Sequence, residues 1–136
     1  MARELKNIAI IGLGYVGLPL AVEFGKKRAT LGFDIDALRI EELKKYIDRT
    51  LELSSEEIAQ ADQLLFSADK NELKNCEIYI VTVPTPIDNV NRPDLLPIIR
   101  ATETVASVLK IGDIVVFEST VFPGCTEEIC VPILER

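Results

Sequence analysis

The run Ile8-Ala9-Ile10-Ile11, followed at once by Gly12-Leu13-Gly14-Tyr15-Val16-Gly17-Leu18-Pro19, constrains this chain more than any other stretch. An apolar segment with strand character passes directly into G-x-G-x-x-G, and an apolar helical pattern follows. That order of parts suits a dinucleotide's pyrophosphate. Gly12 permits a tight turn out of the strand, and Gly14 lets the backbone approach the phosphates. Gly17 lets the new helix pack closely on the sheet, with its unpaired N–H groups facing the anion. Leu31-Gly32-Phe33-Asp34 reads as the next strand and ends in an acid 22 residues after Gly12. A carboxylate there accepts hydrogen bonds from the adenosine ribose hydroxyls and repels the additional phosphate of NADP, so NAD is the expected cofactor. The plainer alternative is a glycine-rich turn that binds nothing, followed by a solvated aspartate.

Composition narrows the class. At 136 residues the chain suits a single domain over 1–136, large enough for one good core. Hydrophobic residues make up 48% and charged residues 27%, as in a water-soluble globular chain. A net charge of -7 argues against nucleic acid, which calls for a concentrated basic surface. The absence of histidine removes both the commonest metal ligand and the usual general base, and no metal is expected. Cys76, Cys125 and Cys130 form no C-x-x-C pair, and their odd number fits a reducing cytoplasm. The uncharged run from Asn7 to Val22 follows Arg3 and Lys6, as in a signal peptide. Its three glycines and Pro19 break it too often to span a bilayer, so no membrane association is expected.

Strand and helix patterns alternate throughout. Strands are expected near Lys6–Ile11, Thr30–Asp34, Leu64–Ser67, Ile78–Val83 and Ile114–Glu118. The last two, apolar without alternation, read as buried on both faces of a parallel sheet. The first helix is expected over Tyr15–Lys27, with Leu18 and Val22 inward. Asp36 caps a second in which Ile40, Leu43 and Ile47 recur at helical spacing. Ser54 and Glu57 form a capping box, and Asp69 to Asn75 reads as a helical turn or two. Asp94 can cap the longest helix, with Pro97 tolerated in its first turn. A final helix follows Gly124, with Pro132 expected to kink it or end it early. These units predict an α/β fold, a Rossmann-type doubly wound parallel sheet in the order 3-2-1-4-5. Ligands of such a sheet sit outside the carboxyl ends of the strands, at the switch point between strands one and four.

Two further loops fall at that edge. Thr82-Val83-Pro84-Thr85-Pro86 leaves strand four with two prolines stiffening it, and it either offers the Thr85 hydroxyl to the nicotinamide-side ribose or merely exposes it. Glu118-Ser119-Thr120-Val121-Phe122-Pro123-Gly124 leaves strand five. Its adjacent hydroxyls either hold a water or ribose hydroxyl or bond local backbone. Glu118 is a general base by type, or a buried structural acceptor. Cys125 lies near a helix start, where a thiol's pKa falls, yet no histidine or lysine stands beside it. All three cysteines read as small buried residues.

Together Gly12–Pro19, Val83-Pro84-Thr85-Pro86 and Glu118-Ser119-Thr120-Val121-Phe122-Pro123-Gly124-Cys125-Thr126-Glu127 resemble the UDP-glucose/GDP-mannose dehydrogenase family along the whole chain. The resemblance implies oxidation of the C6 hydroxyl of a nucleotide sugar to a carboxylate, by two successive hydride transfers to NAD, for polysaccharide synthesis. The Glu-Ser-Thr form is similar to the branch acting on UDP-N-acetylmannosamine or UDP-N-acetylgalactosamine, whereas members acting on UDP-glucose more often carry lysine before Ser-Thr.

By position, the resemblance implies that Gly12, Gly14, Tyr15, Val16 and Gly17 cradle the pyrophosphate. Asp34 would hold the adenosine ribose with Arg39 close by. Val83, Thr85, Ser119 and Thr120 would complete the cofactor contacts, Thr120 also orienting the catalytic water or the reacting oxygen. In this family the thiol nucleophile, the catalytic lysine and most sugar contacts lie downstream in a second domain. The chain is therefore expected to be the amino-terminal cofactor domain of a larger, homo-oligomeric enzyme, and inactive alone. An NAD/NADH-sensing regulatory module is the competing reading, and an S-adenosylmethionine methyltransferase a more distant one.

Overall fold

The computed structural model describes residues 7–84, 94–118 and 130–135. Five short strands, β1 (Ile8–Ile11), β2 (Thr30–Phe33), β3 (Leu64–Ser67), β4 (Ile78–Val81) and β5 (Ile114–Phe117), form one sheet in the order β3-β2-β1-β4-β5. Every pairing is parallel, with Ile8 opposite both Thr30 and Ile78. The expected order is the observed one. After β3 the chain crosses over to place β4 on the far side of β1, so the carboxyl ends of β1 and β4 open the crevice of a doubly wound sheet.

The unbroken apolar runs are explained by cover on both faces. Ile8, Ile10 and Ile80 point to one face, where Leu18, Ala21 and Val22 of α1 (Gly17–Gly25) meet them with Ile40 and Leu43 of α2 (Ala37–Lys44) and Ile58 of α3 (Ser55–Ala59). Ala9, Ile11, Tyr79 and Val81 point to the other, against Ala101 and Val105 of α4 (Leu96–Ala106). Leu134 of α5 (Val131–Leu134) packs there too. Each of these side chains, taken out of water, contributes about 1.5–3 kcal/mol when large.

Local signals place most element starts. Asp36 accepts from the Leu38 and Arg39 N–H groups and opens α2. Ser54 and Glu57 make the expected reciprocal box at α3. Asp69 opens the short 3-10 turn Lys70–Asn75. Pro97 lies in the first turn of α4, where a missing N–H costs nothing. Pro132 follows Cys130, which is already helical, and the expected start of the last helix after Gly124 lies outside the described residues.

Three expectations are corrected. Helix α2 stops at Lys44, because Tyr46 takes a positive φ of 62°, and Ile47 is 49% exposed instead of buried. Asp94 accepts from the Leu96 N–H, but Leu95 is the residue flanking α4. Strand β5 is only half covered, with Ile114 exposed, as befits an edge of the described sheet. Among the described residues no helix is long and apolar enough to cross a membrane.

Candidate dinucleotide-binding site

The site grows from the turn after β1. Gly12 adopts a φ of +98°, and a Cβ there would stand 2.9 Å from Val83 Cγ1, so glycine alone suits both the backbone and the neighbouring loop. A Cβ on Gly17 would overlap the Gly12 carbonyl oxygen and lie 2.5 Å from Thr82 Oγ1. The third glycine therefore serves the packing of α1 on the turn. Gly14 differs, since a Cβ there would meet nothing within 4 Å. Its backbone faces open space.

The turn is held from three sides. From β4, the buried Thr82 hydroxyl lies 2.7 Å from the Gly12 carbonyl oxygen and 3.0 Å from that of Ile11. From β2, Asp34 Oδ2 accepts the Leu13 N–H at 3.0 Å, while Oδ1 accepts the Asp36 N–H at 2.9 Å. From α2, the Arg39 guanidinium donates to the Leu13 carbonyl through Nε at 3.0 Å and Nη2 at 2.6 Å. Arg39 is itself paired through Nη1 with Asp48 at 2.8 Å, both side chains being almost wholly buried.

Burial pushes the Asp48 carboxyl up, but hydrogen bonds from Thr50, Arg39 and Leu53 outweigh it and hold its pKa at about 2. The Leu13 side chain is buried in the core beneath α1. The variable residue of the G-x-G turn is thus the most firmly fixed of the three.

A cleft of about 550 Å³ opens over this turn. Gly12, Gly14, Asp34 and Ile35 line one wall, and Pro97, Arg100 and Ala101 of α4 line the other. Arg39 and Val83 line it as well. Tyr15 and Val16 are exposed just before α1, and no side chain caps that helix. The Leu18 N–H closes the first turn on the Gly14 carbonyl at 3.1 Å. Among the described residues no acceptor meets the N–H groups from Gly14 to Gly17, which leaves them for solvent or an anion. A pyrophosphate fits these features: open backbone at Gly14, an uncapped helix start, and a half-buried carboxylate one strand away.

Of the residues predicted from sequence, the structure brings Gly12, Gly14, Asp34, Arg39 and Val83 to one cleft and sets Gly17 beneath it. Thr85, Ser119, Thr120 and Cys125 lie outside the described residues. Glu118 is exposed rather than buried, and it borders a separate hollow formed with Val16, Leu20, Phe24 and Ile80 on the α1 face. Cys76 and Cys130 are buried. Burial, helped by the negative charge of Glu77, pushes the Cys76 thiol up to about 11. Among the described residues no cluster could hold a metal ion.

Sequence reasoning missed Thr82 and Asp48. A threonine closing a buried strand beside a glycine turn was an available signal for the first. Asp48 carried none, because its partner Arg39 was read as a ligand contact.

A doubly wound parallel sheet with this turn and acid defines a dinucleotide-binding domain. Residues 6–136 match the model of the UDP-glucose/GDP-mannose dehydrogenase family, NAD binding domain, and the chain belongs to that family. Its cofactor is NAD. It is 56% identical over 134 residues to a UDP-N-acetyl-D-glucosamine 6-dehydrogenase of Pseudomonas aeruginosa, covering 98% of this chain and 32% of that protein. It is 60% identical over 130 residues to the protein of the same description in Salmonella typhi, covering 96% and 31%. The crystal structure of an NDP-N-acetyl-D-galactosaminuronic acid dehydrogenase from Methanosarcina mazei superposes with a TM-score of 0.85 at 28% identity, over 96% of this chain and 31% of that one. The chain spans about a third of the length of the curated relatives it matches.

Proposed function

We propose that this chain is the cofactor-binding part of an enzyme that oxidises a UDP-N-acetylhexosamine at C6 to the uronic acid, with UDP-N-acetyl-D-glucosamine as the favoured sugar. High identity to two relatives described as acting on that sugar supports this choice over the mannosamine and galactosamine forms. NAD supplies a hydride acceptor at its nicotinamide ring. This chain's own residues orient it. The N–H groups around Gly14, Tyr15 and Val16 would meet the pyrophosphate, and Asp34 would accept from the adenosine ribose. Both Asp34 oxygens already hold backbone N–H groups, so the carboxylate is fixed in place and keeps lone pairs for two hydroxyls. Thr85, Ser119 and Thr120 are the proposed contacts on the nicotinamide side.

The observation that carries the cofactor reading is the Asp34 carboxylate standing over the cleft and bonded to the glycine turn. A doubly charged 2′-phosphate placed about 5 Å from it would be repelled by roughly 1.7 kcal/mol even at the dielectric of water, a factor of about 15. The test supplies the intact protein with UDP-N-acetyl-D-glucosamine and either NAD or NADP. Two NADH per sugar and a kcat/KM at least about fifteenfold lower with NADP are expected. Equal use of NADP would overturn the role of Asp34. No turnover of this sugar, with turnover of another UDP-hexosamine, would overturn the substrate assignment alone.

A further inference from the structure

The glycine turn contains two successive peptide planes, and their fastenings differ. The plane joining Gly12 and Leu13 is tied at both ends, its carbonyl by Thr82 and its N–H by Asp34. The plane joining Leu13 and Gly14 is tied at one end only, through the two Arg39 donors on the Leu13 carbonyl. A trans peptide sends its N–H opposite to its carbonyl. Fixing the Leu13 oxygen against Arg39 therefore aims the Gly14 N–H away from α2. Among the described residues none accepts from that N–H, and a side chain at Gly14 would enter open space.

Arg39 does not hold this position by itself. Its remaining arm ends on Asp48. Asp48 also gathers the Thr50 N–H at 3.0 Å and hydroxyl at 2.6 Å, and the Glu52 and Leu53 N–H groups at 3.0 and 3.1 Å. The carboxylate thus folds the segment 48–53 around itself and presents one oxygen to the guanidinium. One N–H of Nη1 is held by Asp48 and the Nε/Nη2 edge by Leu13, which leaves one N–H on each terminal nitrogen. The planar guanidinium cannot rotate toward a ribose without breaking one of these bonds.

We propose that Asp48 is a positioning residue for the dinucleotide: through Arg39 it orients the Leu13–Gly14 peptide, and so sets the affinity for the pyrophosphate without touching it. The proposal rests on the reading of the cleft as the cofactor site. It makes the segment 48–53, remote in sequence from the glycines, part of the phosphate-binding apparatus. It also gives Arg39 a task on the backbone of the turn, beside any contact that its remaining N–H donors make in the cleft.

The two roles separate by ligand. Replacing Asp48 with Asn leaves Arg39 without its anionic anchor. NADH, which carries the pyrophosphate, should then bind about tenfold more weakly, while adenosine, which carries only the base and ribose, should shift less than about twofold. Arg39→Lys, which keeps a cation beside Asp48 but cannot reach both partners at once, should give the same pattern and guards against misfolding of Asp48→Asn. Binding is followed by titration on the intact protein, with the Gly14 amide resonance of the free protein expected to move in both variants. An equal loss for adenosine and NADH would show that the effect does not act through the pyrophosphate and would overturn the proposal. Unchanged NADH affinity in a folded variant would overturn it as well. A wild-type protein that fails to bind NADH would instead overturn the underlying site reading.

Discussion

At the scale of single residues, the three glycines of the turn answer to three different constraints, and substitution should separate them. Gly17 has no room for a methyl group, since its Cβ would overlap the Gly12 carbonyl and press on Thr82 Oγ1. Gly17→Ala must push α1 off the turn, and a loss of about 3 kcal/mol or more in urea unfolding is expected, in the range of severe overpacking. Gly14 has room. Gly14→Ala should change stability by less than about 1 kcal/mol, while its methyl group projects into the space the pyrophosphate would take and weakens NADH binding at least about tenfold. If both variants lose only stability, the cleft is not the phosphate site. The sequence made the glycines legible because each marks a place where a side chain is excluded. It concealed the part played by Leu13, whose backbone partners Asp34 and Arg39 come from other elements.

At the scale of elements, the segment after α2 shows where sequence reading stops. Asp36, Ser54 and Asp69 announce the starts of their elements through side-chain oxygens on nearby N–H groups, and such local bonds can be read from spacing. The end of α2 has no glycine to mark it. Tyr46 takes the left-handed conformation instead, and the chain turns to wrap Asp48. The energetic reason lies in a buried ion pair that no local pattern encodes. Its consequence is a defined acid sensitivity.

Asp48 sits at about 2 in the folded chain against an ordinary value of 3.8, so the unfolded state binds the proton more readily. The stabilisation is present above about pH 4 and is lost as the pH falls through about 2; its size is roughly 2 kcal/mol for a shift of this magnitude. Urea midpoints measured from pH 5 down to pH 2 should decline more steeply in the wild type than in Asp48→Asn, whose stability starts lower. Parallel curves would show that another carboxylate governs the acid limb.

At the scale of the whole molecule, the fold accounts for cofactor binding and assigns the described cysteines to the core. Cys76 is 3% exposed between the 3-10 turn and β4, where its carbonyl accepts from the Tyr79 hydroxyl and Lys110 Nζ. Cys130 is 0% exposed and packs with Ile98 of α4. A sugar oxidation that passes through a thiol needs a thiolate open to substrate, and neither residue offers one. For Cys76 the chemistry reinforces the geometry. With its pKa pushed to about 11 by burial and by Glu77, only about 0.1% is thiolate at pH 8, against about a quarter for a free thiol.

In a Cys125→Ser background, a chromogenic disulfide reagent at pH 8 should therefore modify Cys76 and Cys130 at least about a hundredfold more slowly in the folded protein than in urea. Rapid modification of one thiol under native conditions would mean that the α4 face opens on that timescale. If the intact protein oxidises UDP-N-acetyl-D-glucosamine as proposed, Cys76→Ala and Cys130→Ala should keep a yield of two NADH per sugar. Loss of the second NADH in either variant, with the protein still folded and binding NADH, would move that cysteine from the core into the chemistry.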